Sequence, residues 1–206
     1  TVTAAVRAYE QIRKLDQLAF YDRLCSLPNR NKFIDLSDER LLSGQFPSDV
    51  IAILDIDDFS EINDALGHQQ GDRLLQAVAE RLKLELGSDV ILARLGGDTF
   101  GLMGNTGVLD PLTVLDMFRA PFKVQDDSMV VTATMGLTQE LGPGIAGRDA
   151  LKDANIALKL AKKNRRGGFV MFSAQMGADI RERVRLLQAL RHAVESERLF
   201  VVYQPQ

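Results

Sequence analysis

Val50-Ile51-Ala52-Ile53-Leu54-Asp55-Ile56-Asp57-Asp58-Phe59 decides how the rest of the chain is read. The apolar run from Val50 to Leu54 is too short for a helix and rich in β-branched residues, so it reads as a strand buried on both faces. It delivers acids at its C-terminal end, and polar residues there face a ligand crevice in α/β sheets. Outward from it, helical spacing recurs at Asn31 to Leu42 on one side and at Glu61 to Leu66 and Asp72 to Leu86 on the other, the latter two parted by Gly67-His68 and Gly71. Val90 to Leu95 and Phe100 to Met103 read as strands joined by Gly96-Gly97-Asp98, a hairpin whose glycines supply the positive φ angles of a tight turn. A helix at Leu109 to Arg119, strands at Phe122 to Val124 and Met129 to Leu137, a helix at Arg148 to Lys163 and a strand at Phe169 to Phe172 follow. Helices and strands alternate, but the hairpin interrupts them. The fold class is therefore α/β (α+β), a mixed sheet of the βαββαβ kind flanked by helices.

Two further segments flank this unit. Val2, Val6, Tyr9, Ile12, Leu15, Leu18 and Ala19 mark an amphipathic entry helix from Val2 to Leu24, which either packs on the domain or continues a coiled coil. Leu27-Pro28-Asn29-Arg30 breaks it. At the other end Ile180 to Ser196 is a helix with Leu186, Leu187, Leu190 and Val194 on one face, and Leu199 to Tyr203 starts a strand. The expected division is a linker helix over 1–20, a central domain over 21–174, and a helix and strand over 175–206. Beginning at Thr1 without a Met and ending at Gln206 after a strand-like run, the sequence is expected to be a piece of a longer protein.

Composition removes several function classes. A formal charge of -3 over 206 residues gives no basic field for nucleic acid. Cys25 is the single cysteine, and His68 and His192 are far apart in sequence, so neither a disulfide nor a thiolate metal cluster is expected. No apolar run approaches the roughly 18 residues of a membrane span, and no signal peptide opens the chain. A cytoplasmic setting is expected, with any membrane anchor elsewhere in the full protein.

The acids at Asp55, Asp57 and Asp58 have two readings. Asp58 with Glu61 three residues on has the form of a capping box. Alternatively the carboxylates face Asp98, held in the Gly-Gly hairpin on a neighbouring strand, and together hold Mg²⁺ against a triphosphate. Lys162 and Arg166, four apart, share a face if both are helical and so reach phosphate oxygens, or else only complement a helix end. Asn63, with donor and acceptor, and Asp72, an acceptor, suit a guanine edge; each is otherwise a cap or turn residue.

These segments resemble the GGDEF family of cyclic-di-GMP signalling domains. Asp22 to Arg30 is similar to the entry motif DxLTGLPNR, Asp55 to Phe59 to DxDxFK, Asn63-Asp64 through Gly67-His68 to Gly71-Asp72 to ND-GH-GD, Arg94 to Phe100 to RYGGDEF, and Ala154 to Arg166 to the closing helix. The resemblance covers about residues 16 to 173. It implies a nucleotide-cyclase-like fold and condensation of two GTP, one on each subunit of a homodimer, to cyclic di-GMP. It also implies Mg²⁺ held by Asp55, the Ile56 carbonyl and Asp98, guanine bound by Asn63 and Asp72, and phosphates held by Lys162 and Arg166. Arg185 to Arg191 with Leu199 to Pro205 resembles the opening helix and strand of an EAL phosphodiesterase domain, which makes that domain an expected partner within the full chain.

The sequence departs from the family at two chemical positions. Thr99 stands where the motif has its second acid, and Ser60 stands where a phosphate-contacting lysine is expected after Phe59. The inhibitory product site, Arg-x-x-Asp, would fall at Gly87 to Val90 and matches at neither end. An impaired catalytic site is expected, which leaves three readings: a GTP-binding regulatory module for the EAL domain, a weak diguanylate cyclase, or a nucleotide-free dimerisation and relay module.

Overall fold

In the computed structural model, which describes residues 17–44, 48–125, 127–139, 141, 144–164 and 166–196, the apolar run from Val50 forms strand β1 (Asp49–Ile56), buried along its whole length. It is preceded by α1 (Arg30–Ser43) and followed by α2 (Phe59–Leu66), α3 (His68–Leu86), β2 (Ile91–Gly96), β3 (Thr99–Asn105), α4 (Pro111–Asp116), β4 (Phe122–Val124), β5 (Asp127–Met129), β6 (Ala133–Thr138), α5 (Gly147–Asn164) and β7 (Phe169–Met171). A separate unit begins at Ser173 and contains α6 (Ala174–Glu195), six residues longer at its start than the apolar spacing predicts. Residues 17–20 are helical. The rest of the expected entry helix, residues 2–16, and the strand expected at Leu199 to Tyr203 lie outside the described residues.

The five-stranded sheet has the order β2-β3-β1-β6-β7. β1 runs antiparallel to β3 and β6, β2 antiparallel to β3, and β7 parallel to β6. This is the mixed sheet that the hairpin implies.

Alternation along β1 sorts its side chains between two cores. Val50, Ala52, Leu54 and Ile56 join Leu74, Leu75, Val78 and Leu82 of α3. Ile51 and Ile53 join Phe33 of α1 and Ala150, Leu151, Ala154 and Leu158 of α5 on the other side. Each buried Val, Leu, Ile or Phe among these contributes about 1.5–3 kcal/mol of transfer free energy, so the register is strongly fixed. Asp55, two residues after Ile53, is thereby committed to the α1 and α5 side.

Helix α5 lies unusually close to the sheet because β6 presents Gly136 to it. A Cβ there would sit 2.1 Å from the Leu158 nitrogen and 2.3 Å from the Ala154 carbonyl oxygen. Small residues on the helix, Ala154, Ala157 and Ala161, are buried at that contact. The helix start is held from α1, where Asp38 Oδ1 accepts the Gly147 amide at 2.6 Å and answers one of the unpaired N–H groups of a helix N-terminus.

Two expectations are corrected. The helix expected over Leu109 to Arg119 is only α4, with Pro111 at its start, Asp110 accepting the Thr113 amide at 2.8 Å, and turns carrying the chain to Arg119. The strand expected over Met129 to Leu137 is two: β5 pairs with β4 in a separate hairpin, and the chain crosses at Val130 to Thr132 before β6 enters the main sheet. Apolar Val130 and Val131 bridge the break, so no turn residue announces it. The hairpin is tied to α3 by Arg81, which lies 3.6 Å over the Phe122 ring and donates to the carbonyls of Met117, Ala120 and Pro121.

Candidate functional site

Register places Asp55 directly opposite Thr99 on β3. The Thr99 hydroxyl donates to Asp55 Oδ2 at 3.3 Å, and the Lys162 ammonium, from the last turn of α5, pairs with Oδ1. Asp98 sits at the hairpin before Thr99, its carbonyl accepting the Ile56 amide at 3.3 Å. Gly96 and Gly97, with φ of 133° and 56°, make that turn. Arg94 fixes it: the guanidinium donates to the Gly97 carbonyl at 2.6 Å and to Asp22 Oδ2 at 2.9 Å. Asp22 in turn accepts the amides of Leu24 and Cys25 at 3.0 and 2.8 Å, so the entry loop and the hairpin form one assembly.

The Asp55 side chain is 11% exposed and that of Lys162 34%. Burial pushes the Asp55 carboxyl above the usual carboxylate range; the Lys162 hydrogen bond opposes this, and the nearby Asp98 charge adds to it. The ionised carboxylate is thus underserved by its surroundings even with a lysine attached.

That imbalance tests whether a divalent cation suits the site. Asp55 and Asp98 offer two carboxylates close enough to repel, and the carbonyl of Ile56 is a third hard oxygen. Mg²⁺ is suited to one or two protein carboxylates with its other positions filled by phosphate and water oxygens. Among the described residues no group of three or more His, Cys, Asp or Glu could hold a metal ion. The donors therefore fit a cation shared with a phosphate ligand, not one caged by protein alone.

Lys162 and Arg166 are brought to neighbouring acids, though not as two positions on one helix face. Helix α5 ends at Asn164, and Arg166 lies in the turn beyond it, paired with Asp58. The cap expectation at Asp58 is also corrected. Asp58 occupies the N-cap position of α2 with φ of 55° and makes no side-chain cap bond. Its carboxylate faces Arg166 instead.

Asn63 and Asp72 are carried by successive helices, α2 and α3. A Cβ on Gly71 would lie 2.0 Å from Asn63 Oδ1, so the absence of a side chain there lets the Asn63 amide rest against α3 at Gly71, the residue before Asp72. Ser60 is exposed in the first turn of α2. At the positions expected for the product site, Gly87 is exposed and Val90 is in the core.

Sequence reasoning gave Asp57 no role beyond the acidic cluster. It is 6% exposed and accepts hydrogen bonds from Thr132 Oγ1 at 2.8 Å, Thr134 Oγ1 at 2.7 Å and the Gly167 amide at 3.1 Å. The period-two alternation of β1, continued one residue past its end at Ile56, puts Asp57 on the same side as Asp55, a signal that could have separated it from exposed Asp58.

The family model described as diguanylate cyclase, GGDEF domain, matches residues 19–168. Signaling protein YkoW of Bacillus subtilis is 34% identical over 97% of this chain and 26% of its own length. The bifunctional diguanylate cyclase/cyclic di-GMP phosphodiesterase MucR of Pseudomonas aeruginosa is 32% identical over 94% of this chain and 29% of its own. The chain thus spans under a third of these relatives. A form of TpbB (YfiN) from Pseudomonas aeruginosa comprising only the GGDEF domain superposes with a TM-score of 0.70 at 28% identity, covering 78% of this chain and 99% of that one. With the family matched over residues 19–168 and the mixed sheet shared with a solved GGDEF domain, this chain belongs to the GGDEF family of cyclic-di-GMP signalling domains.

Proposed function

We propose that this GGDEF domain binds GTP at the Asp55, Asp98 and Lys162 cluster, makes cyclic di-GMP poorly, and regulates an adjoining EAL phosphodiesterase domain that opens within residues 175–206. The observation that carries the reading is Thr99 facing Asp55 across the β1–β3 ladder: the family's second acid is missing from the position in register with Asp55. A neutral hydroxyl there supplies a donor to Asp55 and no charge for a cation.

In this reading Asn63 and Asp72 bind the guanine edge. Lys162 and Arg166 exchange Asp55 and Asp58 for phosphate oxygens, which like the carboxylates accept charge-assisted hydrogen bonds. Asp55, Asp98 and the Ile56 carbonyl hold Mg²⁺, which when bound offsets phosphate charge and acts as a Lewis acid. Ser60 contributes no cation, so Lys162 and Arg166 carry the phosphate end. Synthesis needs a second copy of the chain, since each 3′-hydroxyl, giving up its proton, attacks the α-phosphate held by the other and displaces pyrophosphate. Regulation needs only that GTP bind two arrangements of the full protein with different affinity.

A second reading, a weakly active cyclase, is favoured by the proximity of Asp98 to Asp55, which leaves two carboxylates for a cation. Calorimetric titration with GTP and ATP in Mg²⁺, beside an Asn63→Ala variant, tests nucleotide binding: guanine-selective binding lost in the variant supports it, and no binding leaves a nucleotide-free relay. Product assay of the wild type and of Thr99→Glu/Ser60→Lys then separates regulator from enzyme. A large gain in the double variant means these two positions limit turnover, and appreciable wild-type turnover favours the second reading.

A further inference from the structure

We propose that Asp57 is the positioning residue for Arg166. Two adjacent acids face two adjacent residues of the turn after α5: Asp58 pairs with the Arg166 guanidinium, and Asp57 accepts the Gly167 amide at 3.1 Å. The Asp57 carboxylate is bound from β6 as well, by Thr132 and Thr134, and its own amide donates to the Thr132 carbonyl at 2.9 Å. Thr134 Oγ1 also accepts the Gly167 amide at 3.0 Å, and the Gly168 carbonyl accepts the Met135 amide at 2.9 Å.

The turn beyond Asn164 is therefore not placed by helix α5 alone. Gly167, at φ of 69°, has its amide directed at a buried carboxylate, and that bond fixes the peptide by which the chain leaves Arg166. A flexible guanidinium pays rotamer entropy to hold phosphate, and less is lost when its backbone is fixed. Asp57 itself touches no ligand: its oxygens are filled by the fold. Its effect on a triphosphate passes through Arg166 and spares the guanine end at Asn63 and Asp72.

This rests on the reading that the site takes GTP, and the experiment separates the two. GTP and guanosine are titrated into the wild type, Asp57→Asn, Arg166→Ala and the double variant. Asparagine keeps the shape but removes the charge and replaces one of the two acceptor oxygens by a donor, so it cannot accept from Thr132, Thr134 and Gly167 together as the carboxylate does. Each single variant is expected to weaken GTP by roughly tenfold while guanosine changes by less than about twofold, and the double variant should be no weaker than Arg166→Ala alone within about threefold. Losses that multiply, or an equal loss for guanosine, overturn the proposal. Amide hydrogen exchange at Gly167 is read on the same samples and on Thr132→Val, which removes one Asp57 contact more gently should Asp57→Asn fail to fold. Exchange at Gly167 should accelerate in both variants while Ile53 and Leu137 stay protected. Unchanged protection at Gly167 overturns the proposal even if the wild type proves not to bind GTP, a result that would sink the functional reading alone.

Discussion

Replacing Thr99 by glutamate should turn a stable apo site into a cation-dependent one. Thr99 and Asp55 are directly opposed in the β1–β3 ladder, where facing Cβ atoms lie about 4.5–5.5 Å apart. Two carboxylates near 5 Å repel by about 3 kcal/mol at an effective dielectric constant of ~20. The Lys162 ammonium on Asp55 and the partly exposed hairpin reduce this, and a destabilisation of about 1–2 kcal/mol is expected. For a chain of this size that lowers Tm by roughly 2–8 °C. Saturating Mg²⁺ with GTP should recover most of the loss, because a ligand bound only to the folded state stabilises it by an amount that grows with the logarithm of its excess over Kd. The assay is thermal unfolding of wild type, Thr99→Glu and Thr99→Gln with EDTA and with Mg²⁺ plus GTP. Glutamine matches glutamate in size without its charge and should show little of either effect. Equal losses in the glutamate and glutamine variants would mean crowding, not charge, and a glutamate variant deaf to Mg²⁺ would refute the placement of a cation between β1 and β3.

Gly136→Ala forces a methyl group to within 2.1 Å of the Leu158 nitrogen, so α5 must move off the sheet; a loss of about 1–3 kcal/mol or more is expected by chemical denaturation, with GTP affinity falling too because Lys162 rides on that helix. Gly71→Ala overlaps Asn63 Oδ1 at 2.0 Å and should cost guanine over adenine selectivity in titrations while leaving Tm within a few degrees, since that amide is the flexible party. Asp55 binds its proton more tightly folded than unfolded, so the folded state holds more protons and stability falls as pH rises from its unfolded value of about 3.9 through the raised folded one. Asp55→Asn removes this, and its Tm relative to wild type should climb across that window and level off above it; a difference independent of pH would contradict the assigned cause.

The sheet was legible because β1 is apolar on both faces and period two fixes which core each side chain joins. Asp98 beside Asp55 followed from the Gly-Gly hairpin for the same reason. Failures came where local pattern and tertiary use diverged. Met129 to Leu137 carries one continuous apolar alternation, yet its halves serve different sheets, and only pairing with Phe122 to Val124 separates them. Lys162 and Arg166 have helical spacing, but the helix stops at Asn164 because Gly167 takes a left-handed angle and gives its amide to Asp57. The Asp58 cap failed similarly: its positive φ turns the carboxylate from the α2 amides to Arg166.

Asp55 and Asp57 show why the chemistry of a carboxylate is not written at its own position. They are the same residue type two positions apart, one near the end of β1 and one just past it, and both are nearly buried. Asp57 meets two threonine hydroxyls and a backbone amide, neutral donors that fill its oxygens and make it a structural anchor. Asp55 meets one hydroxyl, one mobile ammonium and the field of Asp98, and is left with its proton affinity raised. A group satisfied by fixed neutral donors gains little from a ligand, whereas one held against a like charge by a lysine that can leave gains from a cation on one side and releases the lysine to a phosphate on the other. The difference is made by Thr132 and Thr134, more than seventy residues along the chain. Exchange of hydroxyls for methyl groups at those two positions should therefore leave the Asp57 carboxylate short of donors and loosen the Gly167 turn, which amide hydrogen exchange at Gly167 in Thr132→Val/Thr134→Val would read directly; a Gly167 amide as protected as before would mean that its own bond to Asp57 suffices to anchor the turn.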